Sequence, residues 1–187
     1  MSLFGEHDPG GKVRLRLLPG VTGSAEFSPC GKYRYWLRRD WDATKPVFMW
    51  VGMNPSTAEA DVDDPTIRKE QSFTRREGGG AYIKVNVMDY RATHPRDLLA
   101  PGVMPCSDEN DGHIVRLADA HGAWIVAAWG ALPKALRGYA MLARAALAGR
   151  ALWCMGLTKD GSPRHPLYLR SDAWMRPYDL RIEHGRA

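Results

Sequence analysis

Residues 47–58 read VFMWVGMNPSTA, an apolar run that passes straight into a glycine, an Asn-Pro pair and two hydroxyl residues. The run has the length and composition of a buried strand. The polar residues after it stand where an open α/β sheet collects its ligands, in the crevice beyond the carboxyl ends of its strands. Three later strands end in a similar way, so the same few residues that indicate the fold also nominate a site.

Outward from this stretch, apolar runs alternate with helical patterns. Upstream, residues 33–41, YRYWLRRDW, alternate aromatic or apolar residues with basic ones and predict an antiparallel strand or hairpin arm near the sheet edge. Downstream, Asp63-Asp64-Pro65-Thr66 offers an N-cap with proline at the first helical position. A polar helix over about 66–76 follows, and Gly78-Gly79-Gly80 ends it. Residues 81–87, AYIKVNV, are the next strand. After the loop MDYRATHPRDLLAPG, Ser107 or Asp108 can cap a helix to about Ala120, stopped by Gly122. Residues 123–128, AWIVAA, bounded by Gly130, suit a central parallel strand. Leu132, Leu136, Tyr139, Ala143 and Leu147 then fall at helical spacing, with Lys134, Arg137 and Arg144 largely off the stripe. The last core strand is ALWCM, residues 151–155, opening into GLTKDGSPRHPLYL. Four such alternations predict an α/β protein, three-layered α/β/α around a four-stranded parallel sheet.

At 187 residues the chain can bury one full core, and no linker or shift in composition divides it. A single domain over 1–187 is expected, with its core at about 27–178. The first residues, through about Gly11, and the last few should fray. The N-terminus lacks the basic stretch and long apolar run of an export signal, and no apolar run approaches the roughly 20 residues of a membrane span. A soluble, cytoplasmic protein without membrane contact is expected. Cys30, Cys106 and Cys154 are odd in number and far apart, which argues against a disulfide framework and a thiolate metal site. The net charge is +5 and the isoelectric point about 9.2, with arginines recurring around residues 14–16, 38–39, 68–76 and 164–186. That balance suits a phosphate-bearing partner, nucleic acid or nucleotide, and equally an arginine-rich proteome of high G·C content.

The four strand ends carry the chemistry. Gly52, Met53, Asn54, Pro55, Ser56 and Thr57 can turn tightly and present backbone N–H groups with the Asn54 amide, which could hold a water or a ligand. They match neither a Walker loop nor the dinucleotide glycine fingerprint, and as structure alone they make an Asx-type turn. Asn86 interrupts an apolar strand, where an unpaired amide costs roughly 1–3 kcal/mol, so it needs a partner from a neighbouring loop or a ligand. Trp129 and Gly130 close the third strand, the tryptophan as packing or recognition and the glycine allowing close backbone approach. The fourth end, Pro163-Arg164-His165-Pro166, sets a histidine in a rigid loop.

In this order GMNP, VNV, IVAAWG and RHP resemble the uracil-DNA glycosylase superfamily. GMNPS is similar to the Gly-hydrophobic-Asn-Pro-Gly motif of its mismatch-specific and thymine-DNA branch. More closely, YRYWLRRDW, GMNPSTA, DDPT, NVMDYRATHP and GLTKDGSPRHPLYL resemble the bacterial and phage family called domain of unknown function 1643, over about residues 27–178. That closer likeness implies no particular activity. The superfamily resemblance implies a uracil-DNA glycosylase-like sheet and hydrolysis of a nucleobase N-glycosidic bond. Asn54 would then position the attacking water beside the rigid Pro55, Asn86 would read the extruded base, and His165 would steady charge on the departing base.

The departures are specific. His165-Pro166-Leu167-Tyr168 lacks the serine of the superfamily's His-Pro-Ser-Pro loop, and Ser56 and Thr57 replace its glycine. Lys159, Ser162 and Arg164 could supply substitute phosphate contacts, and Leu167 or Tyr168 could wedge into a base stack or join the core. Asp61, Asp63 and Asp64 lack the glycine and terminal glutamate of a calcium loop, and a helix cap accounts for Asp64. His113 and His121 lie too far around a helix for a metal face, and His94-Pro95 turns the chain. No nucleophile elbow occurs. No metal and no cofactor is expected. Two functions follow: an N-glycosyl hydrolase with catalytic Asn54 and His165, or a non-catalytic nucleic-acid or nucleotide-binding module of the same fold.

Overall fold

The apolar run becomes a strand, Val47–Gly52, with five of its six residues buried. The computed structural model describes residues 13–179. The fraying expected of residues through Gly11 and of the last few falls outside that range. In chain order the described elements are β1 (Leu15–Arg16), β2 (Thr22–Phe27), β3 (Arg34–Asp40), β4 (Val47–Gly52), β5 (Val62–Asp63), α1 (Pro65–Arg76) and β6 (Ala81–Asn86). They continue with α2 (Asn110–His121), β7 (Ile125–Ala127), α3 (Arg137–Ala146), β8 (Leu152–Cys154) and β9 (Arg176–Pro177).

β1 and β5 form a small antiparallel pair, and the other seven strands form one mixed sheet in the order β2-β3-β6-β4-β7-β8-β9. Its four middle strands are parallel, with β2 and β3 antiparallel on one side and β9 on the other. Beyond four parallel strands and the antiparallel arm expected over residues 33–41, which is β3, the sheet also carries β2 and β9. β2 is weakly patterned and β9 is short, and backbone pairing, which leaves no hydropathy signature, recruits them.

Alternation along the strands sorts the core into two layers. Met49, Val51, Val85, Ile125 and Ala127 pack against Ile114 and Ala118 of α2 and Ala140 and Ala143 of α3. Phe48, Trp50, Tyr82 and Val126 pack on the other face against Ile67 and Phe73 of α1. Helices cover both faces as the alternation of elements implied. No helix among the described residues is long and apolar enough to cross a membrane.

Helix ends differ in detail from the sequence reading. Asp64 caps α1, its Oδ1 accepting from Ile67 N at 2.9 Å, with Pro65 in the first turn. Neither Ser107 nor Asp108 caps α2, which begins at Asn110; Ser107 instead gives both its N–H and its hydroxyl to the Asp89 carboxylate. The stripe from Leu132 starts as a 3₁₀ turn, Lys134–Leu136, before α3. Pro133 stands at its N-cap, where a missing N–H costs no helical bond.

β3 lies one place in from the sheet edge, and two of its arginines are interior: Arg34 is 1% and Arg39 0% exposed. Arg39 donates through Nε to Asp63 Oδ1 at 2.8 Å, and through its Nη atoms to the carbonyls of Arg38, Glu59, Ala60 and Val62. Asp63 Oδ2 also accepts from Gln71 Nε2 at 2.9 Å. This clamp fixes the segment between β4 and α1, which carries the polar residues of the opening motif.

Candidate functional site at the carboxyl ends of the parallel strands

Each of the four parallel strands runs out into a segment that lines one cavity of about 1230 Å³, beside the N-terminus of α1. After β4 come Met53, Asn54, Ser56 and Thr57; after β6, residues 92–95; after β7, Gly130; after β8, Thr158, Lys159 and residues 164–168 except Pro166. Arg34, Lys84 and Asp64 complete the wall.

Asn54 is held by its own amide. Nδ2 donates to Pro55 O at 2.9 Å and to Ala92 O at 2.6 Å, and Ala92 N donates back to Pro55 O at 2.9 Å. The nitrogen is thereby committed to the backbone of two strand ends, while Oδ1 accepts from no described residue. An amide so fixed offers one oriented acceptor to the cavity.

His165 lines the cavity from the segment after β8. Its Nδ1 accepts from Leu167 N at 3.4 Å, which leaves the ring proton on Nε2. Burial, reinforced by the nearby Lys84 ammonium, holds its pKa down to about 4, so the ring is neutral at physiological pH. Gly130 makes this approach feasible: it has φ +74°, and a side chain there would begin 3.2 Å from His165 Cβ. Gly130 N also donates to Pro163 O at 2.8 Å, tying the third strand end to the fourth.

A buried ionic group on β6 also reaches the cavity, through Lys84. Lys84, 4% exposed, pairs with Glu70 of α1, whose other oxygen accepts from Tyr82 Oη at 2.6 Å. Burial pushes the Glu70 carboxyl up, against the pull of Lys84, and pushes Tyr82 well above 10. Gly52, directly opposite Asn86 in the β4–β6 register, leaves the space this group needs. A Cβ on Gly52 would meet Lys84 Cε at 2.6 Å, Lys84 Nζ at 2.7 Å and Asn86 Oδ1 at 2.9 Å. Asn86 itself is fully buried, and both its amide atoms lack a partner among the described residues.

The structure therefore brings together Met53, Asn54, Ser56, Gly130, Lys159, Arg164 and His165 of the expected residues. Gly52, Pro55, Asn86, Trp129 and Ser162 stand outside the lining. Gly52 is buried against Lys84 and Asn86, and buried Pro55 accepts the Ala92 latch. Trp129 is core, edge-on to Tyr178 at 5.8 Å. Ser162 shapes the loop after β8, its carbonyl accepting from Thr158 N at 2.8 Å. Arg164 spends Nε on Leu157 O at 2.9 Å but reaches the cavity mouth, where Tyr168 is 83% exposed. Among the described residues no group of His, Cys, Asp or Glu comes together to hold a metal ion.

Sequence reasoning missed Lys84, Glu70, Arg34 and the cavity role of Asp64. A signal for Lys84 existed: Tyr82, Lys84 and Asn86 share one face of an otherwise apolar strand, and three polar-tipped side chains at period two in a central strand imply a common partner. The chain has no match among curated proteins or solved structures. Residues 34–167, which include Arg34, Asn54, Lys84 and His165, match the model of the family described as "Protein of unknown function (DUF1643)", and the chain belongs to that family.

Proposed function

We propose that the cavity takes a nucleobase with its sugar and that the protein hydrolyses the N-glycosidic bond between them, as a distant member of the uracil-DNA glycosylase superfamily. One observation carries this reading: Asn54 Oδ1, held by two backbone bonds to Nδ2, and the neutral ring of His165 face the same space from different strand ends. A water accepted by Asn54 would attack the anomeric carbon as the bond to the base breaks. The bonding pair leaves with the base, whose oxygen is met by the Nε2–H of His165 and by the field of Lys84. The water gives up a proton to solvent, and the released base gains one. Neutral Asn54 orients this water and cannot deprotonate it, so turnover should be slow.

A second reading keeps the pocket without the chemistry, as a module that binds a nucleic acid or nucleotide. The absence of an ionisable group at residue 54 favours it. A base-release assay separates the two. Oligonucleotides and free nucleotides carrying uracil, mismatched thymine, hypoxanthine, oxidised and phage-type modified bases are incubated with the wild type, Asn54→Ala and His165→Ala. Release that falls 100-fold or more, roughly, in both variants supports hydrolysis. Binding without release from any substrate supports the module, and release untouched by both substitutions places the chemistry elsewhere.

A further inference from the structure

We propose that Arg34, with the hydroxyls of Ser56 and Thr57, forms a buried oxyanion subsite that takes the terminal phosphate of a nucleotide. This rests on the reading of the cavity as a nucleotide site and narrows its substrate to a mononucleotide or a phosphorylated strand end.

Two arginines on one strand supply the argument. Arg39 uses Nε and both Nη atoms on Asp63 and four carbonyls. Arg34 is as deeply buried but gives a single hydrogen bond, from Nη1 to Ala58 O at 2.9 Å. Its Nε is buried without a partner, Nη2 donates to no described residue, and no described carboxylate pairs with it. Burial lowers its pKa only to about 10, so the side chain keeps its charge at neutral pH. An enclosed cation with unspent donors is costly, and the natural relief is an anion.

The place from which that anion can come is the cavity, because Arg34 is part of its wall. Asp64 shares the wall and its charge offsets part of the cost of burying Arg34, yet its Oδ1 is committed to Ile67 N and it gives Arg34 neither a hydrogen bond nor an ion pair. Ser56 and Thr57 immediately precede the Ala58 carbonyl that Arg34 holds, and both line the cavity. A β-bulge, where Phe27 faces Arg34 but Glu26 faces Trp36, puts Arg34 within reach of Ala58 on the α1 side of the sheet. A planar guanidinium with free N–H groups fits the oxygens of a phosphomonoester. A phosphodiester inside a strand would have to carry the chain both into and out of the recess, so a chain end or a free nucleotide suits it better.

Calorimetry with nucleoside 5′-monophosphates, the matching nucleosides and inorganic phosphate tests this on the wild type, Arg34→Gln and Arg34→Lys. The monophosphate should bind about tenfold or more tighter than the nucleoside, and inorganic phosphate should compete with it. Arg34→Gln should erase the difference and Arg34→Lys restore part of it. If Arg34→Gln does not fold, the wild-type preference and the phosphate competition decide alone. Equal affinity for nucleoside and monophosphate, a preference that survives Arg34→Gln, or no binding of any phosphate overturns the subsite. Arg34-dependent binding without base release would leave the subsite standing and remove the hydrolase. Base release with no phosphate preference would do the reverse.

Discussion

The ring of His165 is kept from protonation by burial and by the nearby Lys84 ammonium. The folded chain accepts that proton only near pH 4, whereas an unfolded chain accepts it near 6.5. Its contribution to stability is therefore complete above about pH 6.5 and is lost as the pH falls from there toward 4. In an NMR titration the His165 carbon-bound ring protons should hold their shifts from pH 8 down to about 5.5. A midpoint near 6.5 would mean that the ring stands in water and not against Lys84. Asn54 and His165, which line the cavity, stand out in the sequence because each interrupts a pattern, an amide after an apolar strand and a histidine between prolines; Asn86 stands out in the same way, within a strand, but lies outside the lining. Glu70 and Arg34 do not. Both look like ordinary surface charges until the fold joins Glu70 to Lys84 and encloses Arg34 beside Ala58.

Between strands and helices, the Arg39 clamp holds the segment after β4 by donating to the carbonyls of Glu59, Ala60 and Val62, adding side-chain bonds to the backbone pair that Glu59 and Val62 already make with each other. Removing one partner leaves Asp63 buried and charged with less compensation. Arg39→Leu should cost about 3–5 kcal/mol in denaturant unfolding, and Arg39→Leu with Asp63→Leu should cost less than the sum of the two single changes. A loss below about 1 kcal/mol for Arg39→Leu would show that the segment holds its shape without the clamp. At this scale the sequence was read well where hydropathy and capping coincide, as at β4, β6 and α1. It was read poorly where backbone alone makes the contact. β2 and β9 carry little apolar alternation, and the start of α2 is set by Ser107 turning to Asp89 and not by a cap.

For the molecule as a whole, alternation of strand and helix was enough to anticipate parallel strands with helices on both faces. The order of those strands was not legible, since it depends on which edges meet and not on any local pattern. That order has a consequence in time. β4 occupies the middle of the sheet, yet it is made before either of the parallel neighbours that flank it, β6 and β7. As the chain leaves the ribosome, VFMWV first waits with both edges bare, then gains β6, and stays open on its other side until residue 127 has been synthesised. A released chain ending at Gly122 should aggregate or remain bound to a chaperone, whereas the full chain should resist protease. A soluble, protease-resistant chain ending at Gly122 would show that β4 needs no second neighbour. The strand that supports the cavity is thus the part of the molecule left unprotected longest during synthesis, and the cell's folding machinery should meet it before any ligand does.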